Sequence, residues 1–120
     1  MAKFKDSNNR FHTVAEKAST GAAQAASLSV KNSEGIFYGV SGYNNTASTV
    51  YVTVHDTATL GGAAAANVKH FCVANANQGF GLSATVLGTH YSEGIQVKCW
   101  TNLACTSATG TTNLLTVEYL

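Results

Sequence analysis

The sequence predicts an all-β protein: an antiparallel β-sandwich, jelly-roll-like, with an extended N-terminal arm. Three observations predict it. Short runs rich in Val, Ile, Thr, Tyr and Phe recur at fairly regular spacing, separated by Gly, Asn, Ser and Thr. No stretch supplies the crossover helices that a parallel sheet would require. The opening residues lack the strand pattern and hold more than half the positive charge. A chain of 120 residues favours one domain. The reading is therefore an arm over residues 1–26 and a sandwich over 27–120.

The elements follow in order. In the arm, Lys3, Lys5, Arg10 and Lys17 outnumber Asp6 and Glu16, and Phe4 and Phe11 are its large apolar anchors. "EKASTGAAQAAS" is small and polar, favours helix weakly and carries no apolar stripe, so the arm is expected to order mainly on what it touches. "SLSVKN" alternates with Leu28 and Val30 on one side. "GIFYGVSGYN" places Ile36, Tyr38 and Val40 on one face and Phe37, Gly39 and Ser41 on the other, and both faces are apolar enough for a central strand. Gly39 and Gly42 permit close backbone approach or a bulge. Tyr43 can bury its ring while its hydroxyl seeks a partner at the sheet end, and Asn44 and Asn45 tolerate left-handed turn geometry and bond their own backbone.

"NNTAS" is a turn, and "TVYVTVHD" then sets Val50, Val52 and Val54 against Tyr51, Thr53 and His55. "TATLGGAAAAN" is a long loop. "VKHFCVA", "GFGLSATV", "GIQVKCW" and "NLLTVEY" complete the strands, and proline is absent. The expected inward set is Val40, Val52, Val54, Phe71, Val73, Leu82, Ile95, Val97, Leu115 and Val117.

Little chemistry stands out. A net charge of +1 argues against a basic nucleic-acid groove. No run reaches the roughly 18 apolar residues of a membrane span, and "MAKFKDSNNRFH" has no apolar run behind its basic residues, so no export signal is read. Cys72, Cys99 and Cys105 are an odd count with no compact zinc spacing; they read as reduced thiols, with a Cys99–Cys105 bridge as the minor alternative. His70 and Cys72 share a strand face at roughly 7 Å, too far for a direct base–nucleophile contact. His55 and His90 fall at strand ends or turns, where solvated histidines are common. Asp56, Glu93, Glu34 and Glu118 stand alone, Asp56 as a turn cap. Trp100 reads as an edge or contact residue before a sugar-binding shelf. No cofactor, metal or enzymatic activity is expected.

"GIFYGVSGYNNTASTVYVTVHDTAT", "GTHYSEGIQVKCWT" and the closing "LLTVEYL" together resemble a family of small virion proteins of tailed bacteriophages. The matching positions are Gly35, Tyr38, Gly42, Tyr43, Asn44, Tyr51, Val52, Asp56, Gly94, Ile95 and Tyr119. The resemblance covers about residues 27–120 and omits the arm. This chain departs from it in "NVKHFCVA", where relatives often carry proline. It implies a non-enzymatic capsid decoration or cement protein, made in the bacterial cytoplasm and placed on the virion's capsid surface. It would assemble as a homo-oligomer, a trimer by capsid three-fold geometry, on the major capsid protein. The arm residues Lys3, Phe4, Lys5, Arg10 and Phe11 would grip capsid, and Gly39, Gly42, Tyr43, Asn44 and Asn45 would be architectural. The alternative is a tail accessory that binds a receptor or glycan. A charge content of only 11% suits a chain that spends its life packed against others.

Overall fold

A computed structural model describes residues 2–5, 11–14, 16–21, 24–84, 87–110 and 113–120. Among these residues eleven strands follow in chain order: β1 Ala2–Lys5, β2 Phe11–Val14, β3 Glu16–Ser19, β4 Ser27–Lys31, β5 Gly35–Asn44, β6 Val50–His55, β7 Val68–Ala74, β8 Gln78–Ser83, β9 Thr89–Tyr91, β10 Ile95–Trp100 and β11 Asn113–Tyr119. All pairings are antiparallel. One sheet runs β3-β11-β5-β8, with β9 extending the β8 side of β5; the other runs β4-β10-β6-β7. The predicted long loop between β6 and β7 is broken only by two 3-10 turns, Leu60–Gly62 and Ala65–Asn67.

The pairings nest. β6 pairs with β7, β5 with β8 and β9, β4 with β10, and β3 with β11. Each hairpin encloses the one before it, and successive hairpins fall in alternate sheets. The two sheets close on one core of Phe37, Val40, Leu115 and Val117 from one side and Val50, Val52, Val54, Ile95, Val97 and Cys99 from the other.

Four details correct the sequence reading. First, the sandwich begins before residue 27. β3 runs along the outer side of β11, and Thr20 N donates to Leu115 O and Ala25 N to Asn113 O. The unpaired flank of β11 needs backbone partners, and an edge strand exposed on three of its four residues needs no apolar stripe to supply them. Second, β5 does not alternate throughout. Glu118 faces Gly39 while Tyr119 faces Phe37, so Tyr38 is an extra residue, and Phe37 and Val40 are both buried. Third, β7 has the opposite orientation to the one expected. His70, Cys72 and Ala74 lie opposite the core residues Val54, Val52 and Val50, leaving Phe71 51% and Val73 47% exposed. Fourth, His55 is fully buried rather than solvated.

Candidate functional site

Of the expected docking residues, Lys3, Phe4 and Lys5 lie on β1 and Phe11 opens β2, with Lys5 opposite Phe11 and Phe4 opposite His12. Arg10 lies outside the described residues. The two strands form a sheet of their own, apart from the sandwich sheets.

The Gly-Tyr-Asn motif fastens one end of the sandwich. Asn44 is completely buried. Its Nδ2 faces the carbonyls of Ser48 at 2.9 Å and of Ala74 and Asn75 at 3.1 Å, while its Oδ1 accepts from Thr46 N at 3.0 Å and Thr46 Oγ1 at 2.7 Å. One side chain thus joins the β5–β6 turn to the β7–β8 turn. The Tyr43 hydroxyl donates to Asn77 O at 2.8 Å. Asn44 makes the expected local bond, but neither it nor Asn45 is left-handed; Asn77 takes that role with φ 53°. At Gly42 the Leu114 carbonyl and the Phe80 ring occupy the space of a β-carbon, and at Gly39 the Leu82 carbonyl does.

The other end is fastened by Asp56 and Gln96. Asp56 accepts from the backbone N–H groups of Ser92, Glu93 and Gly94 and from Ser92 Oγ, with Lys69 Nζ at 3.3 Å. Burial alone would raise this carboxyl's pKa, but the N–H groups of Glu93, Ser92 and Gly94 and the Lys69 ammonium outweigh it and hold it at about 2. The turn that Asp56 caps is therefore a distant one. Gln96 Nε2 reaches Lys31 O, Asn32 Oδ1 and Ala58 O.

Between these ends, the outer face of the second sheet buries a directed polar chain. Trp100, only 4% exposed, donates Nε1–H to Thr53 Oγ1 at 2.7 Å, and Thr53 Oγ1 lies 2.6 Å from His55 Nε2. His55 Nδ1 lies 2.8 Å from Asn67 Oδ1 and 3.0 Å from Ala64 O. Asn67 Oδ1 also accepts from Ala64 N, so it is an acceptor, and the network assigns the imidazole proton to Nδ1. Burial pushes the His55 pKa down, and Lys98 adds to that against the pull of Asn67 and Ala64. His70 is also pushed down by burial and then by Lys69, with its Nδ1 2.7 Å from the Tyr91 hydroxyl and the Phe37 ring beside it.

A pH dependence follows. A histidine held below its unfolded value of 6.5 resists protonation in the native state only. The stabilisation is complete above that value and is lost as pH falls through it. The melting temperature should hold between pH 8 and 7 and decline from about pH 6.5 downward. A flat profile to pH 5 would overturn the assignment of both rings as neutral.

The cysteines are all thiols. Cys99 faces the core, with burial pushing its pKa up to about 12, whereas Cys105 sits by Thr53 on the opposite face of the same sheet. The sheet itself keeps Cys99 and Cys105 apart. Burial also raises the Cys72 pKa, and His70, on the same strand face, is engaged with Tyr91. Among the described residues no group of three His, Cys, Asp or Glu is placed to hold a metal ion. Glu34 meets His90 in an exposed pair at 3.2 Å. A shallow groove of about 220 Å³ crosses the outer face of the first sheet, lined by Tyr38, Ser41, Leu82, Ser83, Thr116 and Glu118 among others.

No family model, curated protein or solved structure matches this chain.

What remains is an outward apolar pair. Phe71 and Val73 stand outward on β7, beside Tyr51 and Thr53 of β6. Sequence reasoning missed it because it assigned both residues to the core. The sequence "VKHFCVA" does not decide between its faces, since Val68, Cys72 and Ala74 fall on one and Phe71 and Val73 on the other.

Proposed function

We propose that this protein is a non-enzymatic virion structural protein, a capsid decoration or cement protein that binds and stabilises the major capsid protein lattice as a homotrimer. The sandwich is a jelly roll in this reading. Its nested hairpins and the facing strand orders β3-β11-β5-β8 and β4-β10-β6-β7 support that assignment. The fold alone does not decide the role. The observation that carries the reading is the outward pair Phe71 and Val73 on a surface otherwise poor in charge, which is a surface made to be covered. Polar groups at both ends are spent on internal fastening: Asn44, Asp56 and Gln96 each bond the chain's own turns. In this reading Lys3, Phe4, Lys5, Arg10 and Phe11 supply the charge and anchors for contacts across the assembled lattice. The protein is made in the host cytoplasm and resides on the virion.

A tail accessory that binds glycan is the second reading. The groove lined by Tyr38, Ser41, Ser83, Thr116 and Glu118 favours it, since hydroxyls and a carboxylate suit a sugar. The buried Trp100 does not, because its ring is committed to Thr53.

Copy number separates the two. Quantitative gel or mass analysis of purified particles should give hundreds of copies per particle, and purified protein should rebind particles stripped of it. A few copies per particle would move the protein to the tail, and none would overturn both readings.

A further inference from the structure

Two parts of the molecule each lack what the other offers. Among the described residues the β1–β2 hairpin pairs with no third strand, and a two-stranded hairpin gains stability in water from one. β7 ends its sheet: it pairs with β6 on one side, and among the described residues no strand pairs with the other. Its outward Phe71 and Val73 are about half exposed. Its one charged residue, Lys69, is held back by Asp56 at 3.3 Å and by His90 O at 2.9 Å. The middle of the strand therefore carries none of the lysines or prolines that normally blunt an edge. The lateral strand β3, by contrast, carries Glu16 and Lys17, and β4 ends in Lys31.

We propose that β7 accepts the N-terminal hairpin of a second copy, which adds strands to the β4-β10-β6-β7 sheet and covers Phe71 and Val73. The occupant is a second copy because of where the hairpin is tethered. β3 lies beside β4 and β7 beside β8, so β3 and β7 are at opposite lateral edges. One residue separates Val14 from Glu16, a reach of at most about 7 Å. Three inter-strand spacings of about 4.8 Å lie between the edges. The chain's own hairpin cannot start alongside its own β7. Donor and acceptor on opposite edges make a head-to-tail contact, the kind that closes into a ring such as a trimer. The inference rests on the reading of the protein as self-assembling and not on what the assembly binds.

The test uses full-length protein and two single variants. Phe71→Glu damages the acceptor at an outward position, with Val73→Lys as its independent repeat. Thr13→Pro damages the donor, because Thr13 pairs with Lys3 in the hairpin. Circular dichroism melts confirm that each is folded, and sedimentation velocity reads mass. Wild type should sediment as several chains and each variant as one. An equimolar mixture of Phe71→Glu and Thr13→Pro should form a two-chain species, since one retains the hairpin and the other the edge. The proposal is overturned if wild type sediments as a single chain, if either class of variant stays assembled, or if the mixture stays at one chain. Failure of particle binding with assembly intact would instead count against the capsid role.

Discussion

Gly42→Ala is expected to cost about 3 kcal/mol or more and to lower the melting temperature by about 10 °C or more. Gly42 lies within β5, opposite Leu115 of β11 on one side and Phe80 of β8 on the other. A β-carbon there falls on the Leu114 carbonyl oxygen and 2.8 Å from the edge of the Phe80 ring. The ring can turn, but a carbonyl fixed in the ladder cannot. The methyl group must therefore push β11 away from β5, and the core residues Leu115 and Val117 move with it. Against a native state held by roughly 5–15 kcal/mol, this is a large share of the total. Gly61→Ala is the control: nothing lies within 4 Å of its β-carbon, so its melting temperature should match wild type. Equal melting temperatures for Gly42→Ala and wild type would refute the close-approach account.

Asn44→Ala is expected to cost about 3 kcal/mol for a different reason. Nothing clashes; instead the carbonyls of Ser48, Ala74 and Asn75 lose their shared donor, and Thr46 N–H loses its acceptor. The site is fully buried, so water does not replace those bonds without rearrangement. Asn44→Asp keeps the shape and should be worse still, because a carboxylate would face three carbonyl oxygens. Urea midpoints rank the three proteins, with wild type first, Asn44→Ala second and Asn44→Asp last. If Asn44→Asp unfolded at the wild-type midpoint, the Nδ2 contacts would not be what fastens the two turns.

The strands were legible because Val50, Val52 and Val54, or Ile95 and Val97, recur at period two against small or polar neighbours. The orientation of β7 was not legible, because both of its faces carry apolar residues. Tyr91 and Phe37 decided it by receiving the His70 ring inside. The extra residue at Tyr38 left no mark, since β5 is apolar on either parity. β3 was hidden because edge pairing is a backbone transaction that polar side chains neither announce nor prevent. Asn44 was read as a turn former when its main bonds reach about 30 residues ahead, to Ala74 and Asn75, and no local pattern encodes such a partner. The outward apolar pair was lost with the orientation of β7: Phe71 and Val73 look like core residues until His70 and Cys72 take the inner places.

The nesting of the hairpins also sets an order in time. Thr53 and Phe71 of the innermost pair are 18 positions apart, whereas Glu16 and Tyr119 of the outermost are 103 apart. Closing the longer loop from an open chain costs about 1.5 kcal/mol more in entropy. Once the inner hairpins have formed, the ends are already close and most of that difference disappears. Assembly is therefore expected to run outward from β6–β7, with β3 last to dock and first to leave. Such a chain belongs with the slow, high-contact-order folders that take milliseconds to seconds. Amide exchange reads the same order in the native protein: β3 should lose protection well before β6 and β10, and equal protection would mean that the sandwich opens only as a whole.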